Sequence, residues 1–284
     1  MSTTATTLTT PSTTASTLND GVVDPGFRDL LRSEWTKIRS VRSTMWALGS
    51  LVVLTIGFTS LLTWLTTSQW DTFDPASRQQ VLADPTSQIL GSGFQFSQLA
   101  ICVLGVLVMT GEYSTGTIRA SVLAVPARTP MLAAKAIVFA VLVFVVAEIA
   151  AVPSFFLGSA ILHSRVSVSL TDPGVFRAII GVGLYIAMLG VFAIAIGTLV
   201  RHTAGAITGI IGFVLVLSPL ALLLPGTVGA YIHAYLPTVA GQQIATTVQA
   251  PDQLLGPWQG FGVFSLWTIA LMLVANFALT HRDA

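Results

Sequence analysis

Six stretches of this chain, at about residues 44–66, 89–110, 136–162, 178–200, 203–225 and 260–280, are long apolar runs, and five of them hold no Asp, Glu, Lys or Arg. At a rise of about 1.5 Å per residue, each is long enough to cross a hydrocarbon layer about 30 Å thick. Inside such a layer every backbone N–H and C=O must be satisfied within the segment, which selects helices over irregular structure. Charged residues are only 9% of the 284 and apolar ones 53%, whereas soluble domains carry roughly 25% charged residues. No soluble surface can be assembled from that composition. The expected fold is all-α: a polytopic membrane protein with six transmembrane helices in one domain over 27–284.

Ahead of that domain lies a tail at 1–26, in which twelve of the first eighteen residues are Ser or Thr. It has too few apolar side chains to build a core and is expected to be disordered. It also lacks the basic start and the apolar centre of about 7 to 15 residues that mark a secretory signal. From Phe27 to Met45, the residues Phe27, Leu30, Leu31, Trp35, Ile38, Val41 and Met45 recur at helical spacing, flanked by Arg28, Arg32, Lys37, Arg39 and Arg42. This pattern predicts an amphipathic basic helix lying in the headgroup layer and leading into the first span. The plainer alternative is a short basic flank that only orients that span.

Orientation follows from where the basic residues fall. An even number of spans puts both termini on one side, and that side holds Arg28, Arg32, Lys37, Arg39, Arg42, Arg119, Arg128, Lys135, Arg201 and Arg282. The other side holds only Arg78, Arg165 and Arg177. The positive-inside rule therefore places both termini in the cytoplasm. Eleven arginines against two lysines, with abundant alanine and threonine, are a compositional hint of a high-GC bacterial genome and so of a bacterial plasma membrane.

Enzymatic constellations are missing. The chain has no HExxH, no GxSxG and no GxxxxGK[ST] phosphate loop, so it does not hold ATP in the P-loop manner and is not expected to be an enzyme. Its single cysteine, Cys102, excludes an internal disulfide and a cysteine metal cluster. The most informative polar stretch joins the second and third spans: GEYSTGTIRASVLAVPARTP, residues 111–130. Glu112 stands where the second span ends, Gly116 and Thr117 permit a bend, and Ser121–Val125 offers a short helix stopped by Pro126, a natural docking element. Between the fourth and fifth spans only Arg201 and His202 intervene, which predicts a tight antiparallel pair, with Gly205 and Gly209 spaced for close approach of a neighbouring backbone. The segment 226–259 is semi-polar and reads either as short helices dipping into the outer leaflet or as a plain external loop.

SEWTKIRSVRST at 33–44 and GEYSTGTIRASVLAVPAR at 111–128 resemble the ABC-2 type permease family of ABC exporters. The resemblance implies a permease subunit that works with a second permease, identical or related, and with two copies of an ABC ATP-binding subunit. ATP and Mg would then be bound by the partner, with no cofactor on this chain, membrane lipid as its surroundings and no nucleic acid. It further implies that the first helix and the 111–130 stretch meet the ATPase. The matching positions are Glu34 and Lys37, the acid Glu112, the step Gly116 and Thr117, and Arg119. The expected function is export of an amphipathic or hydrophobic substrate; the alternative is a secondary carrier, although no internal repeat of the kind common in carriers is visible.

Two acids stand out. Glu34 falls within the apolar arc of its helix and wants a partner: Lys37 three residues on, Arg119, or the ATPase. Glu148 is the only charged residue inside a span, where a charge costs about 2.5 to 3.5 kcal/mol on an insertion scale. It either faces the translocation path or is a protonated carboxyl bonded to a neighbouring helix. Pro153, five residues on, is expected to kink or break that helix.

Overall fold

The structure, a computed structural model, describes residues 26–116, 128–250 and 253–281; the tail at 1–25, Thr117 and Arg119 lie outside these. Among the described residues there is no strand. The described residues form ten α-helices in order: α1 Phe27–Ser40, α2 Arg42–Ser68, α3 Pro75–Ala83, α4 Pro85–Ser114, α5 Arg128–Leu162, α6 Val175–Val200, α7 Thr203–Leu222, α8 Gly226–Tyr235, α9 Pro237–Gln242 and α10 Pro257–His281. Six of them, α2, α4, α5, α6, α7 and α10, are long and apolar enough to cross a membrane, as the six apolar runs predict. The fifth helix starts at Arg128 rather than near 136, which brings Lys135 inside it. Pro153 does not break that helix. Its missing N–H removes only the bond to the Ile149 carbonyl, and the surrounding turns carry the helix through.

Helix α6 is the most buried of the six and packs chiefly against α4 and α5. Its approach to α4 depends on small residues: a Cβ at Gly105 would lie 2.6 Å from the Ala193 Cβ and 2.7 Å from the Gly190 carbonyl oxygen. Helix α2 is built inside out relative to a soluble helix. Thr55, Thr59, Thr63 and Thr66 are buried, while Trp46, Val53, Leu54 and Trp64 are exposed. The Thr55 hydroxyl bonds the Leu51 carbonyl at 2.7 Å and also the Ser97 hydroxyl of α4. Polar side chains that bond across helices, with apolar ones outside, suit a lipid solvent.

Arg201 turns the chain between α6 and α7 in the left-handed region, at φ 57°, and the His202 ring accepts from the Gly205 N–H at 3.2 Å to cap α7. Gly205 and Gly209 of that helix do not mediate packing within the described chain. A Cβ at Gly209 would meet nothing within 4 Å, and one at Gly205 only side chains of the preceding turn. The segment after α7 is not a plain loop. Helix α9 and a 3-10 turn at Gln243–Ala245 wedge between α6 and α10. They come so close that a Cβ at Gly241 would strike Phe264 and Tyr185. Tyr185 lies ten residues into α6, so the wedge reaches about 15 Å down the bundle.

Candidate functional site

At the end of the bundle that carries α1, three helices bring four ionisable side chains together. Leu30, Glu34 and Ile38 form the buried edge of α1, which packs on α5. The spacing of four residues puts all three on one stripe, so the acid is carried inward with its apolar neighbours. There Glu34 Oε2 meets Lys135 Nζ of α5 at 2.6 Å, and Glu34 Oε1 meets Lys37 Nζ at 2.6 Å. Lys135 also reaches Glu112 Oε1 of α4 at 2.7 Å, and Lys37 approaches the same oxygen at 3.4 Å. The result is a closed ring of alternating charge: Glu34, Lys37, Glu112, Lys135.

The ring is buried on one side and wet on the other. Lys135 and Glu34 side chains are 2% and 3% exposed, that of Lys37 42%. Burial by itself pushes the Glu34 carboxyl up, but the charge and hydrogen bonds of Lys135 and then Lys37 more than reverse this, so it titrates below the usual 4.5. For Lys37, burial works downward, and the hydrogen bond and charges of Glu34 and Glu112 outweigh it, so the ammonium is held above its usual 10.5. Removing one member of such a ring strands a buried charge, which costs far more than the intact ring contributes.

This geometry closes one of the two motif stretches onto the other: Glu34 and Lys37 come from the first, Glu112 from the second. A family model described as ABC-2 family transporter protein matches residues 30–219, two-thirds of the chain, and spans both stretches and the ring. The chain belongs to the ABC-2 transporter family. It is thus the membrane component, or permease, of an ABC transporter. No curated protein matches it.

Of the positions marked in the permease sequence, Glu34, Lys37 and Glu112 meet in the ring. Gly116 adopts φ 70°, a conformation that favours glycine, and it is the last described residue before 117–127; Thr117 and Arg119 lie outside the described residues. Glu34 has its local partner Lys37, and its second partner is Lys135. Sequence reasoning passed over Lys135 as one more basic residue near a span. The available signal was its setting, a lysine inside the apolar run LAAKAIVFAV. Nearby, Arg128 donates to the Leu279 carbonyl at 2.6 Å and Arg201 to the Ala278 carbonyl at 3.2 Å, placing cations at the carbonyl end of α10, where the helix dipole favours them.

Glu148 is separate from the ring and lies on α5 beside α6. Both carboxyl oxygens are buried without a hydrogen-bond partner, so the bond to a neighbouring helix is not made. The carboxyl instead tucks against Gly183, where an added Cβ would lie 2.0 Å from Oε1. Around it runs an open apolar groove lined by Phe144, Val145, Ile149, Val152 and Pro153.

Two further polar groupings were not foreseen. At the far end of the bundle Asp84 caps α4 by accepting from the Ser87 N–H at 3.0 Å. It also accepts from the N–H groups of Thr247 and Val248, at 3.0 and 3.1 Å, and from the Thr247 hydroxyl. Arg177 donates to the carbonyls of Ile244 and Thr246 at 3.0 and 2.8 Å. Deeper, the Tyr185 hydroxyl donates to Gln98 at 2.9 Å, with Gln242 of α9 at 3.3 Å from both. These contacts tie the α9 wedge to α4 and α6. Asp84, Gln98 and Gln242 are separated by too much sequence for periodicity to pair them.

Proposed function

We propose that this permease is the export subunit of an ABC transporter and that the ring Glu34–Lys37–Glu112–Lys135 couples it to ATP hydrolysed on a separate subunit. The observation that carries this reading is the ring itself. It locks α1, α4 and α5 together at the two ends of the connection 117–127, the stretch whose sequence has the character of a docking element. A push on that connection is transmitted to Glu112 at the end of α4 and to Lys135 near the start of α5, and through Glu34 to α1. Salt-bridge networks joined to rigid helices are among the elements that carry coupling between distant sites, and the ring is read as one of them.

In this reading both termini and the ring face the cytoplasm of a bacterial cell, following the distribution of basic residues. Two ATP-binding subunits and a second permease, identical or related, complete the transporter, and Gly116, Thr117 and Arg119 act with Glu34, Lys37 and Glu112 in coupling to the ATPase. The substrate is amphipathic or hydrophobic, since the exposed walls of the spans are apolar. Glu148, whose partnerless carboxyl lies buried beside that open groove, is the candidate for contact with a polar group of that substrate.

Purification of the tagged chain from its native membranes in mild detergent tests the reading. A soluble subunit with nucleotide-binding motifs is expected at stoichiometric yield. In the reconstituted complex Glu112→Gln lowers substrate-stimulated ATPase activity several-fold while leaving membrane insertion intact. Transport that persists without any such subunit would instead establish a secondary carrier.

A further inference from the structure

The edge of α1 opposite Lys37 is unused by the ring, and it is strongly cationic. At about 100° per residue, Trp35, Arg28, Arg39 and Arg32 fall in that order within an arc of about 60°, along a stripe about 16 Å long. All four are exposed, with Trp35 at 47%. Among the described residues none of the three arginines makes an ion pair; Glu34 points into the ring, and Asp29, three residues before Arg32, flanks the stripe without pairing with it. Arg42 and Trp46, the latter 79% exposed, continue the pattern onto α2 after a single non-helical residue, Val41.

We infer that this stripe is a binding site for anionic phospholipid headgroups. The inference rests on the membrane placement of the long helices and not on the ATP-driven reading. Charge alone would suit an acidic protein surface equally well; position and chemistry favour lipid. The ring fixes α1 to α5 at Lys135, seven residues beyond Arg128 where α5 begins. The Glu34 position of α1 therefore sits about 10 Å along α5 from Arg128, against the side of the bundle. An exposed indole next to guanidinium groups is the side-chain pairing that sits stably where headgroups meet acyl chains. Guanidinium forks bind phosphate oxygens in pairs. Because the same helix presents Glu34 and Lys37 on its other edge, a lipid held on the stripe sets the position of α1 and hence the geometry of the ring.

Native mass spectrometry of the full chain, released from detergent and titrated with phosphatidylglycerol or phosphatidylcholine of equal acyl length, tests this. Phosphatidylglycerol is expected to bind at the lower concentration, with the preference fading in high salt. With each basic residue near an anionic surface contributing about 1 kcal/mol, Arg28→Gln, Arg32→Gln and Arg39→Gln together should weaken phosphatidylglycerol binding by about 100-fold and leave phosphatidylcholine binding unchanged. The corresponding triple Lys variant, which keeps the charge, retains the preference and controls for misfolding. A wild-type chain with no phosphatidylglycerol preference would overturn the inference. So would a Gln triple variant that keeps the preference, including one that keeps it while losing a bound protein partner, since the stripe would then belong to that protein.

Discussion

Lys135 of the permease is tightly constrained, being 2% exposed and held between two carboxylates at 2.6 and 2.7 Å. Replacing it with Met leaves Glu34 and Glu112 facing one another with only the half-exposed Lys37 between them. Loss of one partner of a buried ion pair costs about 3 to 5 kcal/mol, so Lys135→Met should lower thermal stability in detergent markedly. The double variant Glu34→Gln with Lys135→Gln should lose less than the sum of the two single variants, because contacting residues couple by about 0.5 to 3 kcal/mol. Additive losses in a thermal-denaturation cycle would show that the two are not partners. The same ring sets a pH dependence. Glu34 has a folded-state pKa below its usual 4.5, so its contribution is present above that value and disappears as pH falls through the depressed pKa. Lys37 is raised above 10.5, so its share is present below that value and is lost only as pH rises through the raised pKa. That share is small, given its exposure. Stability should therefore be flat across neutral pH and fall in acid, and Glu34→Gln should flatten the acid limb; an unchanged acid limb would assign it to other carboxylates. At Gly183 the limit is space. Adding a methyl there drives into the Glu148 carboxyl, and overpacking of this kind costs about 1 to 3 kcal/mol. Gly183→Ala should destabilise the protein, and Glu148→Ala should restore it; failure of that suppression in a melting assay would mean the clash lies elsewhere.

At the scale of elements, the α9 wedge is held by a few polar contacts rather than by a helix face of its own. Asp84 contributes the most, joining the α4 N-terminus to residues 247–248. Burial tends to raise its pKa, but hydrogen bonds from Ser87, Thr247 and Val248 outweigh that and hold it below the usual 3.8. Its contribution to stability is accordingly present above that value and lost as pH drops through the depressed pKa. Asp84→Asn keeps the shape and removes the charge that makes these bonds strong. The expected result is faster backbone hydrogen exchange at 243–250 with the six spans unaffected, and equal exchange in the two proteins would show that Arg177 and Gln242 suffice to hold the wedge. Helix α2 shows the complementary case. Among the described residues its outward face is apolar and exposed, while a stripe of threonines continues the internal packing that Leu48 and Leu51 begin, so over that stretch its amphipathicity runs opposite to that of a soluble helix.

For the whole molecule, six long helices with α1 and the end of α10 at one end of the bundle make orientation a single question with two answers. Cys102 is fully buried and should stay silent to a membrane-impermeant maleimide, so introduced cysteines report alone. Ser77→Cys and Ser169→Cys are expected to label from outside intact cells, and Ser40→Cys only after permeabilisation. The reverse pattern would invert the topology and with it the side on which an ATPase can act.

The sequence by itself determined the spans, because in a layer without water the need to satisfy the backbone makes a long uncharged run a helix wherever it occurs. It also marked Glu34, Lys37 and Glu112, since an acid within an apolar arc and an acid at the end of a span are visible locally. Tertiary structure alone decided which charges meet. Lys135 joins Glu34 across 101 residues, Asp84 joins Thr247 across 163, and Glu148 comes to rest on Gly183. Such contacts depend on how far each helix is shifted and rotated against its neighbours. That is set by side-chain shape at crossings such as Gly105 with Gly190, where no periodicity in the chain records the partner.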